Sequence, residues 1–335
     1  MKDLKWFDIQ LFANPNTNTT NDGAAQGDTH TVQPTMKTFY KTSLLENARN
    51  EHYFNQFGQK QPLPKNNGKK VEWRKFDTYA KATTPLTEGV TPDGNFVNMT
   101  NIEKEISQFG DYTTISDRLE LEAVDPVIAA ITEEHGAQAG DTLNIITRNE
   151  VVSGTNVIYA GGKTSRGTLT ASDTITPTLV DQAFTFLKKM KAPTINGDYI
   201  GIIHPSVAYD LRESADWLDV HKYAQPGEIY NGEIGKLHGV RFIEDTEQKI
   251  WAAGANDAAV YATTIFGKDA YGIIEPSAES LEVIIKQRGS AGTADPLDQR
   301  STVGWKASHA AQILYQERLV RIESGSFYSG TDAAN

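Results

Sequence analysis

DPLDQRSTVGWKASHAAQILYQERLVRIE, Asp295 to Glu323, places a loop crowded with acidic and basic side chains ahead of a long, one-sided apolar strand. LEVIIKQR, from Leu281 to Arg288, reads as another strand just upstream. Both runs read as strands.

Upstream, helices and strands alternate. Thr178 with Asp181 three residues on reads as a capping box, and Leu179, Ala183, Phe186, Leu187 and Met190 form the stripe of a helix. YIGIIH, Tyr199 to His204, reads as a short buried strand; Pro205 then opens a second helix, PSVAYDLRES. GVRFIE around Val240 and the run from Ala258 to Phe266 add strands, which makes this stretch a compact α+β unit.

The long helix starts at Asp125 and Pro126, a cap followed by a residue preset for the first turn. Val124, Ile128, Ile131, Leu143, Ile146 and Val151 continue one face, and unbroken to Val152 the helix spans roughly 40 Å. Gly136 and Gly140 each weaken it by about 1 kcal/mol relative to Ala, which leaves open both an unbroken helix and one kinked or broken near them. Before it, VEWRKFDTY and NIEKEISQFGDYTTIS read as strands flanking a wide turn with Pro85, Gly89, Pro92 and Gly94. The stretch from Lys69 to Arg118 is poor in core residues, and a two-stranded ribbon is marginal alone in water. It lies either on its own subunit or on a neighbour.

Nearer the start, Phe39, Tyr40, Leu44, Ala48, Phe54 and Phe57 recur at helical spacing until Gly58 and the Pro62/Pro64 pair stop the helix. Residues 13–35, rich in Asn, Thr, Gly and Asp, have almost nothing to bury and read as a tether behind a small apolar anchor at Trp6, Phe7, Ile9, Leu11 and Phe12. Asp3 and Asp8 interrupt that cluster, so it is not a secretion signal.

With 335 residues and 39% hydrophobic content, the chain can build one large core or two modest ones. Without cysteine, thiolate catalysis, disulfide scaffolds and Cys-ligated zinc are excluded. No window approaches the roughly 20 apolar residues of a membrane helix, so the reading is a soluble protein without a membrane partner. A net charge of −11 argues against a protein that coats nucleic acid, and ordinary solubility explains an acidic surface.

Chemical motifs are weak. GGKTS, Gly161 to Ser165, has the end of a phosphate-binding loop, but position 157 is Val rather than Gly and no helix pattern follows; a structural loop is the better reading. The histidines at 135, 204, 221, 238 and 309 have no i,i+4 partner, and no G-x-S-x-G elbow occurs. Asp295 and Asp298 with Arg300 fit a structural turn with an Arg–Asp pair, within or between subunits, better than a metal or substrate loop. The expectation is no enzyme, no cofactor and no metal.

Together with MKDLKWFDIQLFA at the start, the 295–323 run resembles the tailed-bacteriophage major capsid protein family, whose subunits share the Hong Kong-97-type fold. IIHPSVAYDLR, GEIGKLHGVRFIED and YATTIFGKDAYG resemble that family's axial domain, and the resemblance runs from Lys5 to Ser324 through the order of short motifs. It implies an α+β fold in four parts: an N-terminal arm and helix (1–60), an extended β-hairpin loop (61–118), a peripheral domain with a long spine helix (119–176 and 271–330) and an axial α+β domain (177–270). It further implies self-assembly as hexamers and pentamers into an icosahedral head shell enclosing double-stranded DNA without sequence-specific binding. Scaffolding, portal and decoration proteins are the other partners it suggests, with assembly in the host cytoplasm and a final place in the virion. Intersubunit contacts are then expected at Trp6 and Phe7, at Trp73, Arg74, Lys75 and Glu88, and at Asp295 and Arg300. No position matches the Lys and Asn that the fold's prototype cross-links, and no protease-removed leader is evident. The alternatives are a soluble α+β hydrolase or binding protein with Gly- and Asp-rich loops around a pocket, and an encapsulin-like cargo compartment.

Overall fold

The computed structural model describes residues 53–335, apart from 65–67, 92, 123–126, 215–216, 218–232, 277–280 and 291–294. The anchor, the tether, most of the first expected helix and the Asp125–Pro126 cap lie outside the described residues. Among the described residues, no helix is long and apolar enough to cross a membrane. The chain divides into two compact units.

Among the described residues, the larger unit comprises 53–108, Asp141–Ser280 and Ser308–Asn335. It opens with a single 3-10 turn, Phe54–Gln56, and strand β1, Gln59–Leu63. The helix expected to run to Gly58 is therefore not a helix at its end. Gly58 sits against Ile273 and Tyr271, with no room for a Cβ, and Pro62 lies inside β1 instead of stopping a helix. Proline is tolerated there because, among the described residues, β1 is an edge strand paired only with β11, Tyr271–Pro276.

Strands β2, Lys70–Phe76, and β3, Met99–Glu105, form a separate two-stranded ribbon in seven-residue register, Lys70 opposite Glu105 and Phe76 opposite Met99. Strand β4 is Ser107–Ser116, helix α1 Asp117–Glu122 and helix α2 Val127–Val152. Helix α2 runs through Gly136 and Gly140 without a break. Both glycines are buried within the helix.

The core of the larger unit is a seven-stranded sheet. It contains β5 (Val157–Tyr159), β6 (Tyr199–Ile203), β7 (Glu233–Leu237), β8 (Val240–Glu244), β9 (Ile250–Ala252), β10 (Ala259–Phe266) and β14 (Leu319–Ser324). Its order is β5-β14-β10-β6-β8-β7, with β9 also on β10. Every residue of β6, β10 and β14 is buried, as expected of strands covered on both faces. One face packs under helices α3, Pro177–Lys189, and α4, Pro205–Arg212, through Val180, Ala183, Leu187, Val207 and Leu211. The other face, with Ile200, Ile202, Ile243 and Leu319, meets Val151 of α2 together with Phe54 and Tyr271.

Local chemistry sets the ends of these helices. Thr176 caps α3, its hydroxyl accepting from Leu179 N at 3.4 Å with Pro177 in the first turn. The cap expected at Thr178 is thus two residues early in the chain, because proline is favoured at the first helical position and pushes the boundary ahead of it. His204 ends the β6 segment as expected and also caps α4, its Nδ1 accepting from Ser206 N at 3.2 Å.

The smaller unit contains Phe109–Gly140 and Leu281–Ala307 among its described residues. Strand β12, Glu282–Lys286, runs antiparallel to the first part of β13, Arg300–Ile313, with Val283 opposite Trp305; β4 also pairs with β13. Ile115, Leu119, Ile128 and Val303 form its core. The low core content expected from Lys69 to Arg118 holds across β2, β3 and β4, where only Val71 and Ile115 are buried. The backbones of β4 and β13 approach so closely that a Cβ at Gly304 would lie 2.6 Å from Asp111 O.

Candidate assembly surfaces

The loop between β2 and β3, residues 77–98, has no regular structure and is exposed throughout its described length. In and beside it Phe76, Tyr79, Leu86, Val90, Phe96, Val97 and Met99 are all exposed, Phe96 to 91%. Covering a side chain of this size is worth roughly 1.5–3 kcal/mol. Seven together exceed the scattered exposed apolar residues of an ordinary monomer surface. Sequence reading passed over them because proline and glycine interrupt every periodic pattern here.

The base of this loop is held within its own chain. Val71, Trp73, Ile106, Ile274 and Ala310 form a small cluster, and the Trp73 indole lies so close to Gly272 that a Cβ there would be 2.9 Å from it. Arg74 pairs with Glu72 at 3.1 Å; Lys75 pairs with Glu317 at 3.4 Å and lies 4.6 Å from the centre of the Tyr315 ring. These exposed ion pairs contribute well under about 1 kcal/mol each, so the cluster does more than they do to aim the loop. Glu88 is exposed on the loop itself.

At the start of β13, Asp295 is buried and its carboxylate accepts from Arg300 N at 2.8 Å, with the Arg300 side chain 3.8 Å away. Asp298 adopts a left-handed conformation, φ 53°, and closes the turn. This is the structural Arg–Asp turn expected from the sequence. Of the eight positions read as contacts, Trp73, Arg74 and Lys75 come together on the ribbon, Asp295 and Arg300 form their own turn, Glu88 stands alone on the loop, and Trp6 and Phe7 lie outside the described residues.

Side chains with chemical potential are used structurally. Gly161 and Gly162 have φ of 62° and 66°, and the GGKTS segment leads to one 3-10 turn, Arg166–Thr168, instead of the helix a phosphate-binding loop requires. Arg166 instead makes two bonds to the buried Glu323, at 2.7 and 2.8 Å, and stacks 3.6 Å over Trp251. Arg321 adds a third bond to Glu323 at 2.7 Å. The bonds to Glu323 hold the Arg166 guanidinium above its ordinary range. His135 joins Thr113 and Gln138, and Gln138 also accepts from Trp305 Nε1 and donates to Asp111. That donation and the Tyr112 amide keep the Asp111 carboxyl below the usual range. Neither network could be read from the sequence, since their members are dispersed along it. Among the described residues no group of three or more His, Asp or Glu side chains is placed to hold a metal ion.

A model of the phage capsid protein family matches residues 101–322, about two-thirds of the chain, and the chain belongs to that family. It is similar in fold to the capsid of Ralstonia phage GP4, with a TM-score of 0.65, 12% identity and coverage of 92% of this chain and 97% of that one. It is likewise similar to the capsid of cyanophage P-SCSP1u, with a TM-score of 0.60, 13% identity and 92% of each chain covered. The virus-like particle from Pyrococcus furiosus is similar at a TM-score of 0.50, 11% identity and coverage of 85% and 98%. No curated protein matches. The fold is the α+β, Hong Kong-97-type capsid fold, and the chain is a phage capsid protein.

Proposed function

We propose that this chain is the major capsid protein whose many copies, as hexamers and pentamers, close the icosahedral head around double-stranded DNA. The observation that carries this reading is the solvent-facing apolar loop, residues 77–98, on a chain of the phage capsid family. Its partner is another copy of the same chain. The loop bearing Glu88 reaches that copy from a base set by Trp73, Arg74 and Lys75; the Asp295–Arg300 turn and the Trp6/Phe7 anchor make further intersubunit contacts. The chain performs no catalysis. The DNA is enclosed without sequence-specific contacts, which suits the charge of −11. Assembly takes place in the host cytoplasm, with scaffolding, portal and decoration proteins as additional partners. Light scattering on the purified full chain tests the reading: particles or capsomers are expected, and a monomer at every concentration and salt, with or without a scaffolding protein, contradicts it.

A further inference from the structure

Two exposed patches of opposite character lie at opposite ends of the seven-stranded sheet. At one end Tyr209 of α4 and Tyr328 of the C-terminal segment stand 5.4 Å apart, beside Phe327; Phe327 and Tyr328 are about 70% exposed, at 71% and 69%. These aromatics do not dangle. Phe327 N donates to Asp210 at 3.2 Å, Tyr328 N donates to Ser326 Oγ, and Ser326 Oγ donates to Ser206 O at 2.9 Å. Asp332 nearby accepts from Tyr261 at 2.6 Å and from Ser329, and Glu213 is exposed just beyond α4. The patch is aromatic, with Glu213 and Asp332 at its edge and Arg212, paired with Glu244 at 2.9 Å, beside them.

At the other end α3 finishes in Lys188, Lys189, Met190 and Lys191, all exposed. The register fixes the separation. Phe266 of β10 faces Ile200 at the start of β6 and Leu319 at the start of β14, whereas Tyr261 faces Ser324, from which the chain leads directly to Phe327. The lysine turn is tied to the Phe266 end, because Tyr199 donates to Ala192 O and Lys268 N donates to Pro193 O. Tyr261 and Phe266 are about 17 Å apart along one strand, so the patches cannot meet within one chain.

We propose that the Tyr209/Phe327/Tyr328 patch of one copy receives the Lys188–Lys191 turn of a second copy, head to tail. Ammonium groups over aromatic faces, a methionine sulfur against ring edges, and Lys189 and Lys191 opposite Glu213 and Asp332 make the two surfaces complementary. A contact between two different patches of one subunit generates a ring when its rotation closes, which a capsomer requires. The inference rests on the shell-building reading.

The test uses two full-length variants, F327S/Y328S and K189E/K191E. Both are expected to melt within about 3 °C of the parent, since the changes are on the surface. The assembled fraction in light scattering is expected to fall about tenfold or more in each. Mixed in equal amounts, the two should form one-to-one dimers, since each supplies the half the other lacks. Parent shells alongside variant shells of normal yield would overturn the contact alone. Variants that lose assembly singly yet remain monomeric when mixed would also overturn it. A parent that never assembles would overturn the shell reading itself, and the contact with it.

Discussion

Glu323 shows how one buried charge is made tolerable. It is fully buried in β14, and Arg166 and Arg321 together give it three hydrogen bonds. Truncation leaves two guanidinium groups facing an empty site, Arg321 among the buried residues. Glu323→Ala is therefore expected to cost about 3–5 kcal/mol, read as a lower urea midpoint. His204 gives a pH-dependent counterpart. Burial pushes its pKa below the ordinary 6.5, against smaller opposing effects from Asp332, Glu247 and the Thr246 backbone. Because the folded state disfavours the proton, the unfolded chain takes it first as pH falls below about 6.5. Stability is complete above that value and declines below it, down to the folded pKa. Protonation also removes the lone pair that caps α4. His204→Asn keeps a capping oxygen and cannot titrate, so its denaturation midpoint should change less than the parent's between pH 7.5 and 5.5. The sequence marked His204 as the end of a strand but did not disclose the cap, because imidazole seldom fills that role. Glu323 and Arg166 are 157 residues apart, and only the folded chain brings them together.

Elements with a strong period or a strong stop signal were legible. β6, β8, β10 and α4 lie where alternation, apolar runs and Pro205 placed them. Helix α2 was legible too, and it runs on through Gly136 and Gly140 because burial outweighs their propensity cost. β1 was missed because Phe54 and Phe57 fit a helical spacing while their burial comes from a tertiary core. The ribbon yields a prediction at this scale. Asp77 N already bonds Asn98 O at 3.1 Å, so an Asn-Gly turn can replace residues 78–97 and leave β2 and β3 joined. The shortened chain should keep its circular dichroism spectrum and melting temperature while losing assembly. Unfolding of that variant would show that the loop belongs to its own subunit's core.

At the scale of the whole molecule, the order of short motifs carried the fold, since no single one of them is specific. Exposed apolar side chains were invisible for the opposite reason: a sequence shows which residues are hydrophobic, not which lack cover. Phe96 and Val97 look like any strand pair until the structure leaves them in solvent. The central claim is that this surface is covered by another copy of the chain. Electron cryomicroscopy of particles assembled from the full-length protein tests it most directly. A closed shell in which residues 77–98 of each subunit lie against a neighbouring subunit is the predicted result; closed particles with that loop standing free in solvent, or monomers alone, would contradict it.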